Sequence, residues 1–255
     1  MPGTDTTMKV KSWIFAREDV DKLGVAPFTS MFLYGENSQI RRDDYRPEVH
    51  DSDGIQMLNS KGELIWRPLT NPTKLQITSL SDIAPKGFGM LQRDTDFSNY
   101  LDAEANYHLR PSLWVTPKAG FNEGKLEIVE IPTDSEVHDN IVAYWVPVEP
   151  FLAGQSRYFE YELKTVEKKP MRYGVATVER TRQGISTLPG FETTEERNVR
   201  RFVVDFKVPK GMNLKPDDVN LILDATNASV DQARVYEVDG GKSLRVTFLV
   251  IPEGE

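Results

Sequence analysis

Sixteen prolines and 17 glycines are scattered through 255 residues, and they cut the chain into short runs rich in Val, Ile, Phe, Tyr, Trp and Thr. Proline cannot continue a helix interior or donate within a sheet, and glycine weakens both elements, so each run is held to strand length. This punctuation predicts an all-β protein. Strands are expected over 10–16, 55–58, 64–68, 74–79, 87–92, 112–117, 125–131, 141–147, 157–165 and 171–179. Helix is expected only over 17–23, closed by Gly24, and over 96–107, with Asp96 as cap. Irregular polar loops without a fixed repeat favour a large sandwich of two antiparallel sheets.

After Glu179 the texture changes. Residues 181–198 are polar, hold Gly184, Pro189 and Gly190, and read as a linker or long loop. In the run that follows, Phe202, Val204, Phe206 and Val208 share one face, the period-two pattern of a half-buried strand. Further strands are expected over 219–224, 233–238 and 244–251, with Asp239-Gly240-Gly241 as a hairpin turn. The division is therefore 1–180, a linker over 181–198, and an incomplete immunoglobulin-like sandwich over 199–255. Such a sandwich needs about seven strands. Only four are found, and the last stops almost at the chain end, so the sequence reads as a truncated product that also lacks an N-terminal part.

Composition narrows the chemistry. With 31 basic against 39 acidic residues the net charge is −8, which repels nucleic acid and anionic lipid. There is no cysteine, which excludes disulfides, thiolate metal sites and Cys nucleophiles. No run approaches the roughly 18 apolar residues of a membrane span, and the first residues lack the parts of a signal peptide.

Two acidic loops stand out: Tyr45-Arg46-Pro47-Glu48-Val49-His50-Asp51-Ser52-Asp53-Gly54, and Ile131-Pro132-Thr133-Asp134-Ser135-Glu136-Val137-His138-Asp139-Asn140. Each leads into an apolar segment that reads as a strand. Carboxylates at strand mouths with aromatics nearby suit a sugar site, because hydroxyls take fixed acceptors while C–H faces take flat apolar platforms. Asp51-Ser52-Asp53-Gly54 could open a calcium loop, but Gln56 and Gly62 stand where the loop needs Gly and Glu. The bland reading is a turn with both aspartates capping backbone amides. His50, His108 and His138 lack the spacing of a zinc motif, and there is no Gly-x-Ser-x-Gly elbow. A carboxylate pair that cuts a glycosidic bond would be drawn from Asp51, Asp53, Asp94, Asp96, Glu104, Asp134, Glu136 and Asp139. Tyr34, Tyr45, Trp66, Tyr100, Tyr107, Trp114, Tyr144 and Trp145 could stack on sugars, although sheet-face and core roles compete for all of them. Tyr107 is notable for its polar surroundings.

Several long strings, in order, carry a family resemblance: Leu23-Gly24-Val25-Ala26-Pro27, Thr29-Ser30-Met31-Phe32-Leu33-Tyr34-Gly35-Glu36-Asn37, the whole first acidic loop, Trp66-Arg67-Pro68-Leu69, Gly87-Phe88-Gly89 with Gln92-Arg93-Asp94, Arg110-Pro111-Ser112-Leu113-Trp114-Val115, and Asp139-Asn140-Ile141-Val142-Ala143. Together they resemble the periplasmic glucan biosynthesis proteins G and D. The resemblance implies the later part of a large carbohydrate-active β-sandwich, then the earlier part of an immunoglobulin-like domain. It implies a periplasmic location and action on osmoregulated glucans with a β-1,2-linked glucose backbone, the D type being similar to inverting endo-β-1,2-glucanases. By motif position the general acid falls on Asp139 and the general base on Asp51, with Asp53 as the nearest competitor for the base. Tyr107 is then expected beside the bound sugar, with His50, Arg93 and Arg110 orienting substrate or carboxylates and Tyr45 contributing to binding. One departure is that Val137-His138, rather than Thr-Asn, precede Asp139. If the His138 imidazolium lies near Asp139 it lowers the pKa of the acid, whereas an extended segment would turn the two side chains to opposite faces. The reading needs no metal or cofactor, is compatible with a homodimer, and has one rival, a non-catalytic glucan-binding module assisting synthesis or branching.

Overall fold

The structure is a computed structural model and describes residues 6–36, 38, 43–166, 176–186, 198–209 and 211–253. The chain divides into two compact units, Met1–Pro170 and Met171–Glu255.

The first unit holds β1 (Thr7–Phe15), β2 (Val25–Ser30), β3 (Phe32–Tyr34), β4 (Val49–His50), β5 (Gly54–Leu58), β6 (Leu64–Pro68), β7 (Gln76–Ile83), β8 (Gly87–Leu91), β9 (Ser112–Ala119), β10 (Glu123–Glu130), β11 (Ile141–Pro147) and β12 (Ser156–Val166). Six form one sheet in the order β1-β12-β9-β8-β5-β6, and four form a second in the order β2-β11-β10-β7. All these pairings are antiparallel. Alternate residues of each sheet meet in one core. Ile55, Met57, Phe88, Met90, Val115 and Phe159 come from the first sheet, and Phe28, Leu126, Ile128, Ile141, Ala143 and Trp145 from the second. Trp145 is fully enclosed and stacks on Phe88 with ring centres 6.1 Å apart. A shared core between two antiparallel sheets makes this unit a sandwich, as the punctuation predicts.

Both expected helices are corrected. Residues 17–23 form no helix, because the Val20 N–H donates to Phe151 O at 2.9 Å and draws that stretch into an isolated β-bridge. Of 96–107, only α1 (Phe97–Tyr100) is helical; Leu101 closes it in the left-handed region, and Asp96 makes no side-chain cap bond. Asp102 is the physical cause of the break. Its Oδ1 accepts the N–H groups of Glu104 at 2.9 Å and Ala105 at 2.6 Å, which diverts the backbone from a helical ladder. A 3-10 turn, Tyr107–Leu109, follows.

The second unit contains β13 (Thr177–Ile185), β14 (Arg200–Lys207), β15 (Ala228–Val238) and β16 (Ser243–Pro252), in one antiparallel sheet ordered β13-β14-β16-β15. Phe202 and Phe248 face each other across β14 and β16 and stack at 5.4 Å. Asp205 and Arg245 are likewise opposite and pair through two bonds of 2.7 and 2.9 Å. Asp239–Gly241 turns β15 into β16, and Gly240 and Gly241 supply the positive φ values of 63° and 85° that this turn requires. Two boundaries differ from expectation. Residues 181–185 continue β13 and are not linker; an exposed edge strand tolerates polar side chains, which hides it from a hydrophobicity reading. Residues 219–224 form no strand. The rest of the expected linker, 187–197, and the first part of the strand expected over 171–179 lie outside the described residues.

Candidate functional site

A two-stranded ribbon of β3 and β4 underlies the site, with Phe32 opposite His50. Met31, Leu33, Tyr34, Val49, Tyr100 and Tyr107 pack around it as a second, smaller core. Asp51 leaves this ribbon directly after β4, and its N–H donates to Met31 O at 2.9 Å. The other acidic loop docks one residue further along. Asn140 accepts the Phe32 N–H at 2.8 Å and donates to Phe32 O at 3.1 Å and Ile131 O at 3.0 Å. The backbone of Asp51 and the side chain of Asn140, the residue after Asp139, are therefore held on the consecutive residues Met31 and Phe32.

The two carboxylates differ in setting. Asp139 is exposed. Asp51 is half-buried; burial raises its pKa, and the charge of Asp139 adds to the rise against the opposing pull of Arg110 and His50. Arg110 Nε lies 3.3 Å from Asp51 Oδ1. That contact is an ion pair without hydrogen-bond geometry, since the same oxygen is buried with no hydrogen-bond partner. The Arg110 guanidinium also sits 5.7 Å from the Tyr107 ring centre.

Asp53 lies deeper in function than in sequence. Burial pushes its carboxyl up to about 7, the charge of Asp94 adds to this, and His50, Arg93 and the Arg93 N–H at 3.2 Å oppose it. It is a proton-holding group near neutrality, so it suits a general base less well than its position in the motif suggests. Arg93 reaches the Trp66 ring at 4.8 Å, and Trp66 in turn lies over Gly54, where a Cβ would collide with the indole. His50 requires a correction. It is fully buried, stacked on Phe32 at 5.3 Å, edge-on to Tyr100 at 5.2 Å, and bonded through Nε2 to Glu48 at 2.9 Å. Such a ring is sealed from solvent and cannot touch a sugar. Tyr107 is buried too, with its hydroxyl donating to Glu136 Oε2 at 3.0 Å. Tyr45, by contrast, is 71% exposed. His138 is exposed, and its Nδ1 bonds Thr133 Oγ1 at 2.9 Å rather than the neighbouring carboxylate.

The family model described as periplasmic glucan biosynthesis protein, MdoG, matches residues 1–255. This chain belongs to that family. It is similar to proteins named glucans biosynthesis protein G: at 38% identity over 255 residues in Shewanella sp. strain W3-18-1, covering all of this chain and 45% of that protein, and at 44% over 253 residues in Shewanella baltica strain OS195, covering 99% and 45%. The Vibrio cholerae O395 protein of the same name is 44% identical over 207 residues, 81% of this chain and 37% of its own length. The chain thus spans less than half the length of the curated relatives it matches. No described helix is long and apolar enough to cross a membrane.

In this glucan biosynthesis family member, the residue that sequence reasoning missed is Arg46. Its side chain bonds Asp44, Asp102 and Glu136, each with a contact of 2.8 Å. Arg46 stands inside the first acidic loop, but nothing local signals partners 56 and 90 residues away. The only clue was the surplus of carboxylates around one arginine. Beside this group an open depression of about 470 Å³ is lined by Leu33, Asp43, Asp44, Arg46, Asp134, Ser135 and Glu136. Among the described residues no group of three or more His, Asp or Glu side chains is arranged to hold a metal ion.

Proposed function

We propose that this protein hydrolyses β-1,2-linked glucan within the chain, with inversion, using Asp139 as general acid and Asp51 as general base. The observation that carries the reading is the attachment of both acidic loops to Met31 and Phe32, through the Asp51 N–H and the Asn140 side chain, which brings Asp139 near enough for its charge to act on Asp51. Asp139 protonates the leaving glycosidic oxygen, and Asp51 draws a proton from the attacking water on the far face of the sugar. Asp139 faces solvent, so its carboxyl is open to the glycosidic oxygen of an arriving glucan. Arg110 beside Asp51 favours the ionised form that a base needs. The carboxylates of the two acidic loops also offer the glucan's hydroxyls fixed acceptors. On the same family resemblance the second unit is read as the sheet of an immunoglobulin-like domain, and the protein as periplasmic.

A second assignment has its own support, because the raised pKa of Asp51 is the property of a proton holder. Exchanged roles are separable by experiment. An aryl β-glycoside needs no protonation of its leaving group, so it restores turnover to the variant that lacks the acid and not to the one that lacks the base. Restoration in Asp139→Asn alone supports the first assignment, and restoration in Asp51→Asn alone supports the exchange. Reducing-end release from linear β-1,2-glucan is measured on this chain and on the full-length Shewanella baltica relative. Binding without release by either would replace hydrolysis with the rival reading, a glucan-binding module in synthesis or branching.

A further inference from the structure

We infer that Arg46 is a positioning residue that clasps the Asp139 loop to the turn bearing Tyr107 and Arg110, so that the two carboxylates hold a fixed separation; its catalytic consequence rests on the hydrolase reading above. The side chain is only 15% exposed, and each of its three nitrogens is engaged. Nε reaches Asp44 Oδ1 at 3.1 Å, Nη2 reaches Asp44 Oδ2 at 2.8 Å, and Nη1 reaches both Asp102 Oδ2 and Glu136 Oε2 at 2.8 Å. The Glu136 oxygen that Arg46 holds is the one that accepts the Tyr107 hydroxyl. Asp102 uses its other oxygen to order the amides of Glu104 and Ala105. From Tyr107 the connection runs through the guanidinium of Arg110, over the phenol ring, to Asp51. From Glu136 it runs three residues along the loop to Asp139. The clasp therefore has one end at each proposed catalytic group.

Charge explains why an arginine is needed. Three carboxylates converge on one guanidinium, and without it they repel one another; Asn71 at Thr133, Asn140 at Phe32 and Gln92 at Tyr107 hold the flanks of the two loops but not this junction between them. A lysine restores the charge but not the planar fork, so it cannot serve Asp44, Asp102 and Glu136 together. None of these residues belongs to the core between the two large sheets, so the loops can loosen while the sandwich stands.

The experiment uses the intact chain with Arg46→Met and Arg46→Lys, and reads amide hydrogen exchange without glucan. The hydrogen-bonded amides of Glu104, Ala105, Arg110, Ile131 and Thr133 should exchange at least about tenfold faster in Arg46→Met, the amount a lost charged hydrogen bond supplies, while β5, β8, β10 and β11 keep their protection. Added guanidinium at non-denaturing concentration should restore the slow rates, and Arg46→Lys should recover them only in part. Unchanged exchange at both loops overturns the inference, as does acceleration spread evenly through the core strands. The second readout is turnover: kcat should fall about tenfold or more with KM within about twofold, and Tyr107→Phe added to Arg46→Met should cost little further. Strictly additive losses overturn the clasp. If the unaltered protein and its full-length relative release no reducing ends, the hydrolase reading fails, whereas the exchange measurement still decides whether Arg46 joins the loops.

Discussion

Replacing Asp53 by Asn should change how the stability of the first unit depends on pH. The folded chain holds this carboxyl at about 7, against an ordinary aspartate value of 3.8. Below the ordinary value both folded and unfolded chains carry the proton and the group contributes no difference. As pH rises between the two values the unfolded chain releases its proton while the folded one retains it, so the folded state loses about 1.36 kcal/mol per pH unit. Across the interval of about three units the loss is about 4 kcal/mol, complete once pH passes the folded value. Asparagine keeps the shape and an acceptor for the Arg93 N–H, but does not titrate. Stability of Asp53→Asn relative to wild type should therefore rise by up to about 4 kcal/mol between about pH 4 and pH 8, with midpoints in urea moving apart by more than about 1 M. All four tryptophans, Trp13, Trp66, Trp114 and Trp145, lie in the first unit, so their fluorescence follows the unfolding of that unit alone. A stability difference that stays constant across this range would refute the reasoning. So would a wild type that gains on the variant at high pH, since Arg93 and His50 would then outweigh burial.

Asp139→Asn and Asp51→Asn should each lower reducing-end release about a hundredfold to ten-thousandfold while glucan binding, followed by calorimetry, survives; near-wild-type turnover in either rejects that residue's role. Gly54→Ala places a methyl group into the Trp66 indole, and with Arg93 resting on the same ring the cost should be about 1–3 kcal/mol in urea unfolding, together with a shifted fluorescence maximum. An unchanged midpoint would mean that Trp66 moves freely. His138→Asn should leave the pH profile of turnover superimposable on that of wild type, because the ring is engaged by Thr133. An alkaline limb displaced upward would instead couple His138 to Asp139.

Most strands of the first unit were legible in the sequence because sheet periodicity is local: Ile55 with Met57, Phe88 with Met90, and Leu126 with Ile128 each mark a buried face from two residues of spacing, whereas no expected strand covered β2, β3 or β4. The two helical expectations failed for the opposite reason. Val20 is claimed by Phe151, and Asp102 takes backbone amides that a helix would need, so distant or side-chain partners overrode weak local preference. The later part of β13, residues 181–185, was read as linker for want of a hydrophobic face, although the strand expected over 171–179 reached its start. For the site, family strings pointed to Asp51, Asp139, Tyr107 and Arg110, yet residue order carries no information about which side chains face solvent. Only the tertiary structure shows His50 sealed between Phe32 and Tyr100, Asp53 enclosed enough to hold a proton, and Arg46 gathering three carboxylates. Those properties depend on contacts between residues separated in sequence, and burial and charge, unlike strand periodicity, are set by what the folded chain brings near.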